Sequence, residues 1–259
     1  MRKDQQRYCV EIAYKGCNYH GWQVQDNAIS VQELVDKALA TVLREEVKTV
    51  GCGRTDTGVH AKQLFAHFDL EDRNEALDIP RIQNGLNSLL PSDIVIKNLF
   101  LVAPDFHARF DAISRSYEYH VHFGKNPFLN EFSWQLRDRP NVDKMNAAAK
   151  IMTEYQDFSC FSKSHTQVFT NNCDIYHAEW KCIAEDRLIF YITANRFLRN
   201  MVRAIVGTLV SLGRDPEKPA ESIREIIESK NRSLAGASVP ACGLYLTRVS
   251  YNDMETPKI

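Results

Sequence analysis

A chain of 259 residues with 44% hydrophobic content can fill one large core or two of ordinary size, and a formal net charge of −1 gives no overall pull toward polyanions. The sequence has no uninterrupted apolar run of roughly 18 residues, which excludes a membrane-spanning helix, and its opening MRKDQQRYCVEIAYKG lacks the apolar stretch of a secretory signal. The expected compartment is the cytoplasm, and nucleic acid stays open as a partner because binding needs a local basic patch, not a basic total.

In chain order, RYCVEIAY reads as a strand with Val10, Ile12 and Tyr14 on one face. SVQELVDKALATVL follows as a helix: Ser30 and Glu33 have capping-box spacing, and Val31, Leu34, Val35, Ala38, Leu39 and Val42 form one apolar stripe. A short strand around VKTVGC leads through GCGRTDTGVHA into the strand QLFAHFDL, so that glycine-rich segment connects two strands. Asp78 caps a further helix with Pro80 in its first turn and Ile82, Leu86 and Leu89 on its buried side; Pro91 closes it before DIVIKNLFLV extends. The order is βαββαβ.

The second half repeats it, with the strand RSYEYHVHF, the helix VDKMNAAAKIM, the strands DIYHAEWKCIA and RLIFYITA, a long helix RFLRNMVRAIVGTLVSLG, a shorter helix AESIREIIESK and the strand LYLTRVSY. The expected fold is α+β: two split-βαβ, ferredoxin-like units, residues 1–108 and 109–259, with antiparallel sheets side by side around a central cleft. Segments 125–141 and 155–173 are polar and long for connections. Seven scattered cysteines, without a C-x-x-C pair, read as free thiols, and no zinc-finger spacing suggests a metal.

GCGRTDTGVHA raises the question of why a carboxylate, Asp56, stands beside a guanidinium, Arg54, between glycines. A glycine-permitted turn, with Asp56 bonding nearby amides, is the plain answer. Gly53 and Gly58 have phosphate-loop spacing, but Val59 and His60 occupy the positions of the required Lys and Ser/Thr, and a dinucleotide fingerprint fails for want of its third glycine. The triplet DTG suggests half of a dimeric aspartic protease, yet that dyad must hold a proton, whereas Arg54 favours an ionised acid. The remaining reading is an ionised aspartate acting as a nucleophile on an electrophilic carbon.

Other residues point to RNA. Arg196, Arg199 and Arg203 have helical spacing and lie in one stripe of the long helix, a phosphate-contacting row. His107, Arg109 and Arg115 precede Tyr117, interleaving basic and aromatic groups as single-strand platforms do, and Tyr117 is better placed than Tyr119 to leave the core. Tyr19, His20 and Trp22 in YHGWQ form a further cluster that a loop anchored by Trp22 also explains; His60 and His67 read as structural.

With these residues assembled, the chain resembles the tRNA pseudouridine synthase A (TruA) family. NYHGWQ, SVQELVDKAL, GRTDTGVHA, NSLLPSDI, DFHARFDA, SYEY, FLRNMVRAIVGTL and GLYL occur in family order nearly end to end. The resemblance implies the pseudouridine synthase fold, with Asp56 as nucleophile, Tyr117 against the target base, and Arg54 and Arg203 holding the aspartate and the target nucleotide. It implies a homodimer that acts without a cofactor on uridines 38, 39 and 40 of the tRNA anticodon arm. Thr57 stands where the family has alanine, and Lys15 where it has aspartate. A non-catalytic RNA-binding protein is the alternative, with the aspartic protease behind it.

Overall fold

The computed structural model describes residues 5–71, 77–162 and 170–252. Along the chain it contains β1 (Gln5–Tyr14), α1 (Val31–Leu43), β2 (Val50–Gly51), β3 (His60–Glu71), α2 (Ile79–Leu89), β4 (Ile94–Leu101), β5 (Ala112–Phe123) and β6 (Trp134–Leu136). There follow α3 (Val142–Met152), β7 (Ile175–Ala184), β8 (Arg187–Ala194), α4 (Met201–Arg214), α5 (Ser222–Glu228) and β9 (Leu244–Tyr251). The chain packs as two units. One comprises the residues up to Ile113 together with those from Leu246, and the other is Ser114–Tyr245. The sequence-based division at 108/109 differs from this mainly in β9, whose later residues join the first unit.

In the first unit β1 lies between β3 and β4, antiparallel to both, and β2 pairs antiparallel with β3. The order β4-β1-β3-β2 is that of a split-βαβ unit, with β9 also beside β3. Helix α1 starts where its sequence requires. The Ser30 hydroxyl accepts from the Glu33 N–H at 3.3 Å, and Val31, Val35, Ala38, Leu39 and Leu43 are buried. Asp78 caps α2 by accepting from the Arg81 N–H at 3.1 Å, and Ile82 and Leu86 are buried. Leu89, expected on the same face, is 54% exposed, because the helix ends there and Leu90 takes the buried position. Strand β3 is buried from Leu64 through Phe68 and so is covered on both faces, not one. Tyr251 of β9 supplies part of that cover, its ring meeting Phe65 edge-on at 5.6 Å.

In the second unit β8 lies between β5 and β7, antiparallel to both. A short strand absent from the sequence reading, β6, lies parallel to β5 within the segment expected to be irregular. The helix α3 spans the residues expected of it and is capped by Asn141, which accepts from the Lys144 N–H at 3.0 Å. Asn146 of α3 binds the backbone of Trp180 in β7 through both ends of its amide, at 2.7 and 3.1 Å.

Helix α4 begins at Met201, not at Arg196. Asn200 takes a left-handed backbone conformation, φ 67°, that a helix cannot continue through, and the Met201 N–H bonds back to the Leu198 carbonyl in a turn. Arg196 and Arg199 therefore precede the helix, and the expected three-arginine helical row does not form. Helix α5 is likewise shorter than the eleven-residue segment AESIREIIESK, spanning Ser222–Glu228. All seven cysteines are free, and burial pushes the Cys160 thiol up to about 12 and that of Cys173 to about 11. No helix of the described residues is long and apolar enough to cross a membrane.

Candidate active site

Asp56 sits half-buried in the connection from β2 to β3, with Arg54 and Thr57 exposed on either side of it. The loop is held from within the first unit at several points. The Cys52 N–H bonds the Phe65 carbonyl at 2.7 Å, the Trp22 N–H bonds the Thr55 carbonyl at 3.4 Å, and the Gly58 N–H bonds the Tyr19 carbonyl at 3.3 Å. Thr55 is buried, and its hydroxyl shares a 2.7 Å hydrogen bond with the Tyr14 phenol at the end of β1. Asp56 closes its own turn, its carbonyl accepting from the Val59 N–H at 3.1 Å while Gly58 adopts φ 80°. A carboxylate on such a loop keeps a fixed position before substrate arrives, which is what an attacking group needs.

The Tyr19–Trp22 cluster is thus the floor of this loop. The Trp22 indole is buried, stacks on Tyr14 with centroids 6.5 Å apart, and lies so near Gly51 that a Cβ there would be 2.3 Å from its Nε1. Asp93 ties the floor down. It accepts from the Tyr19 hydroxyl and, at 2.9 Å, from the Asn18 amide, while its backbone carbonyl accepts from the Lys15 N–H at 2.9 Å. The Lys15 backbone N–H thus helps to hold this turn. His60 is buried with Nδ1 accepting from the Gly16 N–H at 3.1 Å, a structural histidine as its place in the sequence suggested. NYHGWQ, GRTDTGVHA and NSLLPSDI, separated in the chain, are one spatial cluster.

The segment DFHARFDA forms a second ordered loop of the first unit. His107 organises it, its Nδ1 accepting from the N–H groups of Arg109 and Phe110 at 3.2 and 3.3 Å, and its own N–H bonding Asp111 at 2.6 Å. Beneath it the buried His67 accepts from the Ala108 N–H at 3.2 Å, with its ring 4.8 Å from that of His107.

Burial first, and then the positive charge of Arg7 and the nearby His107 ring, lowers the pKa of His67 to about 4. Its folded form is neutral, so the unfolded chain takes up the extra proton first. The stability it contributes is complete above about pH 6.5 and is lost as pH falls toward 4. Asp36 acts in the opposite sense. Burial raises its carboxyl to about 6 in spite of hydrogen bonds from Thr49, so its contribution is lost as pH rises through 6. Comparison with His67→Gln isolates the histidine. In urea unfolding between pH 7 and pH 5 the wild type should lose about 2 kcal/mol more than the variant. Equal losses would show that His67 does not titrate in this way.

In the second unit Tyr117 and Tyr119 share a face of β5 but differ in setting. Tyr119 is fully buried and donates its hydroxyl to the Pro240 carbonyl at 2.8 Å, whereas Tyr117 is half-buried with its ring edge-on to Phe197 at 5.1 Å. Phe197, which the sequence reading treated as one of the helix's apolar residues, stands outside α4 beside Tyr117. Arg115, two residues before Tyr117, donates to the Asn195 carbonyl at 2.9 Å. Asn195 in turn bonds the Asp174 carboxylate at 2.8 Å and the backbone N–H groups of Asp174 and Arg196 at 2.9 and 2.7 Å, which fixes the approach to Phe197.

Arg203, in the first turn of α4, donates Nε to the Val239 carbonyl at 2.7 Å. The segment carrying Val239 runs close along α4. A Cβ on Gly207 would lie 1.9 Å from the Ala237 carbonyl oxygen, and the Gly236 N–H bonds the Thr208 hydroxyl at 2.8 Å. Arg232 bonds the Gly236 carbonyl at 3.1 Å and the Ser238 hydroxyl at 3.0 Å. The sequence reading passed over this segment and Thr55 and placed Tyr14 only as a strand residue; the early signal for the segment was glycine at the points of closest approach. Arg109 and Arg199 are exposed, and Arg196 and Arg203 are half-buried.

Among the described residues no three His, Cys, Asp or Glu side chains cluster as metal ligands. The sequence profile of a family described as tRNA pseudouridine synthase matches residues 148–252. A protein from Bacteroides fragilis named tRNA pseudouridine synthase A is 48% identical over 246 residues, covering 95% of this chain and 96% of that protein. One of the same name from Bacteroides thetaiotaomicron is 49% identical, covering 95% and 91%. A third, from Clostridium acetobutylicum, is 38% identical, covering 93% and 98%. These matches cover nearly the whole chain, and the chain belongs to the tRNA pseudouridine synthase A family.

Proposed function

We propose that this chain converts uridine to pseudouridine at positions 38, 39 and 40 of the tRNA anticodon stem-loop, with Asp56 as nucleophile and no cofactor. The observation that carries the reading is the aspartate loop itself: a carboxylate on a loop clamped from Cys52 to Val59, in a chain similar over nearly its whole length to proteins named tRNA pseudouridine synthase A. The target uridine leaves its stack, at a cost of a few kcal/mol. Asp56 adds to the uracil ring or to the ribose anomeric carbon, and the C1′–N1 bond breaks. The base turns and C1′ joins C5, the bond to Asp56 breaks and releases the carboxylate, and C5 gives up its proton while N1 gains one. The reaction is an isomerisation with no net oxidation, so the atoms balance without a second substrate.

In this reading Tyr117 holds the flipped base, and Arg54 and Arg203 hold the aspartate and the target nucleotide. Arg109, Arg196 and Arg199 contact phosphates. Action as a homodimer in the cytoplasm belongs to the same proposal, since two copies would set two groups of arginines along one RNA. The test is pseudouridine formation on an unmodified tRNA transcript, mapped by carbodiimide-dependent primer-extension stops. A wild-type protein that binds the transcript and leaves these positions as uridine would favour the non-catalytic RNA-binding reading. Tyr117→Phe should lower turnover by roughly 100-fold or more, the range of a proton-transferring group, with tRNA affinity nearly unchanged. Unchanged turnover would reduce the hydroxyl to packing.

A further inference from the structure

We infer that Phe110 is a stacking platform for an unpaired base of the RNA substrate, an inference that rests on the tRNA reading above. The phenyl ring is 74% exposed, although Phe65 and Phe68 of the same unit are buried. Its exposure does not come from a loose backbone. The Phe110 N–H bonds both the carbonyl, at 3.1 Å, and Nδ1, at 3.3 Å, of His107, and the Asp111 N–H bonds the same carbonyl at 3.0 Å. The turn is anchored below by the Tyr251 hydroxyl on the Ala108 carbonyl at 2.6 Å and by Arg7 on the Phe106 carbonyl at 2.8 Å. A loop whose backbone is so tied holds its largest apolar side chain out in water.

The surroundings of the ring suit a nucleobase. The His107 ring packs against it with centroids 4.2 Å apart, and the Arg109 guanidinium carbon lies 5.7 Å from its centroid. Exposed aromatic rings and guanidinium groups offer the π surface on which bases stack without regard to sequence. Extruding a uridine deprives its neighbours of a stacking partner, and an exposed ring of this kind replaces it. Phe110 itself carries no charge, so its contribution comes from stacking and not from neutralising phosphates.

The test is binding of an unmodified tRNA transcript at several salt concentrations by wild type and by Phe110→Ala, Phe110→Leu and Phe110→Trp. Alanine and leucine should each weaken binding about tenfold, tryptophan should retain or improve it, and the slope of log affinity against log salt should be the same for all four. Thermal midpoints should be unchanged, since the ring is exposed. Wild-type affinity in Phe110→Ala, or full affinity in Phe110→Leu, would overturn the inference, as would an affinity loss that tracks loss of self-association in sedimentation. If the wild type neither binds nor modifies tRNA, the functional reading itself fails. If it does both and Phe110→Ala matches it, only the stacking role falls.

Discussion

Asp56→Asn should abolish pseudouridine formation, with turnover falling by roughly 10⁴-fold or more, while tRNA affinity stays within about threefold of wild type. The amide has nearly the shape of the carboxylate but is no nucleophile, so in the proposed mechanism the change removes the attacking group. The loop should survive it, because the hydrogen bonds that hold the segment run through Cys52, Thr55, Gly58, Val59 and the backbone carbonyl of Asp56. Thermal unfolding of the variant checks that its fold is intact. Single-turnover assays on prebound tRNA then isolate the chemical step from binding. An asparagine variant that forms pseudouridine at the wild-type rate would show that the nucleophile lies elsewhere.

Gly21→Ala should lower stability by about 2–4 kcal/mol and turnover by roughly 100-fold, although Gly21 bears no reactive group. Its φ of 85° is unfavourable for any residue with a Cβ, and that Cβ would lie 2.2 Å from the Thr55 carbonyl oxygen. Relieving the contact moves the Thr55–Asp56 peptide by about 1 Å, and displacement on that scale is costly to an attacking group. Gly53→Ala is the internal comparison. A Cβ at Gly53 meets nothing within 4 Å, so its effect on stability should stay within about 0.5 kcal/mol. Urea midpoints and turnover measured on both variants decide the matter; a Gly21→Ala protein as stable and active as wild type would mean that the loop tolerates displacement.

Much of the local structure was legible in the residues. The Ser30, Asp78 and Asn141 caps stand beside periodic apolar faces, so α1, α2 and α3 follow from hydrogen-bonding chemistry and burial acting over a few residues. Helix α4 was overextended because RFLRN carries helical spacing up to Asn200, and spacing does not reveal a left-handed residue. Strand β6 was missed because three residues make too short a pattern. The candidate nucleophile was found by elimination within one short segment. Its supports were not, since YHGWQ read equally well as a loop anchored by tryptophan.

By itself the sequence determined the α+β order of elements, the free thiols and the peculiarity of a carboxylate among glycines beside arginine. These depend on neighbours along the chain, where propensity, capping and alternation act. Only the tertiary structure decided that Tyr14, Tyr19, Trp22 and Asp93 build the floor under Asp56, that Tyr117 is half-exposed while Tyr119 is sealed, and that Phe110 is held outward on a tied loop. The reason is physical. Each of these outcomes is set by close packing and by hydrogen bonds between segments far apart in the chain, and a side chain's local pattern carries no record of the partner that will meet it.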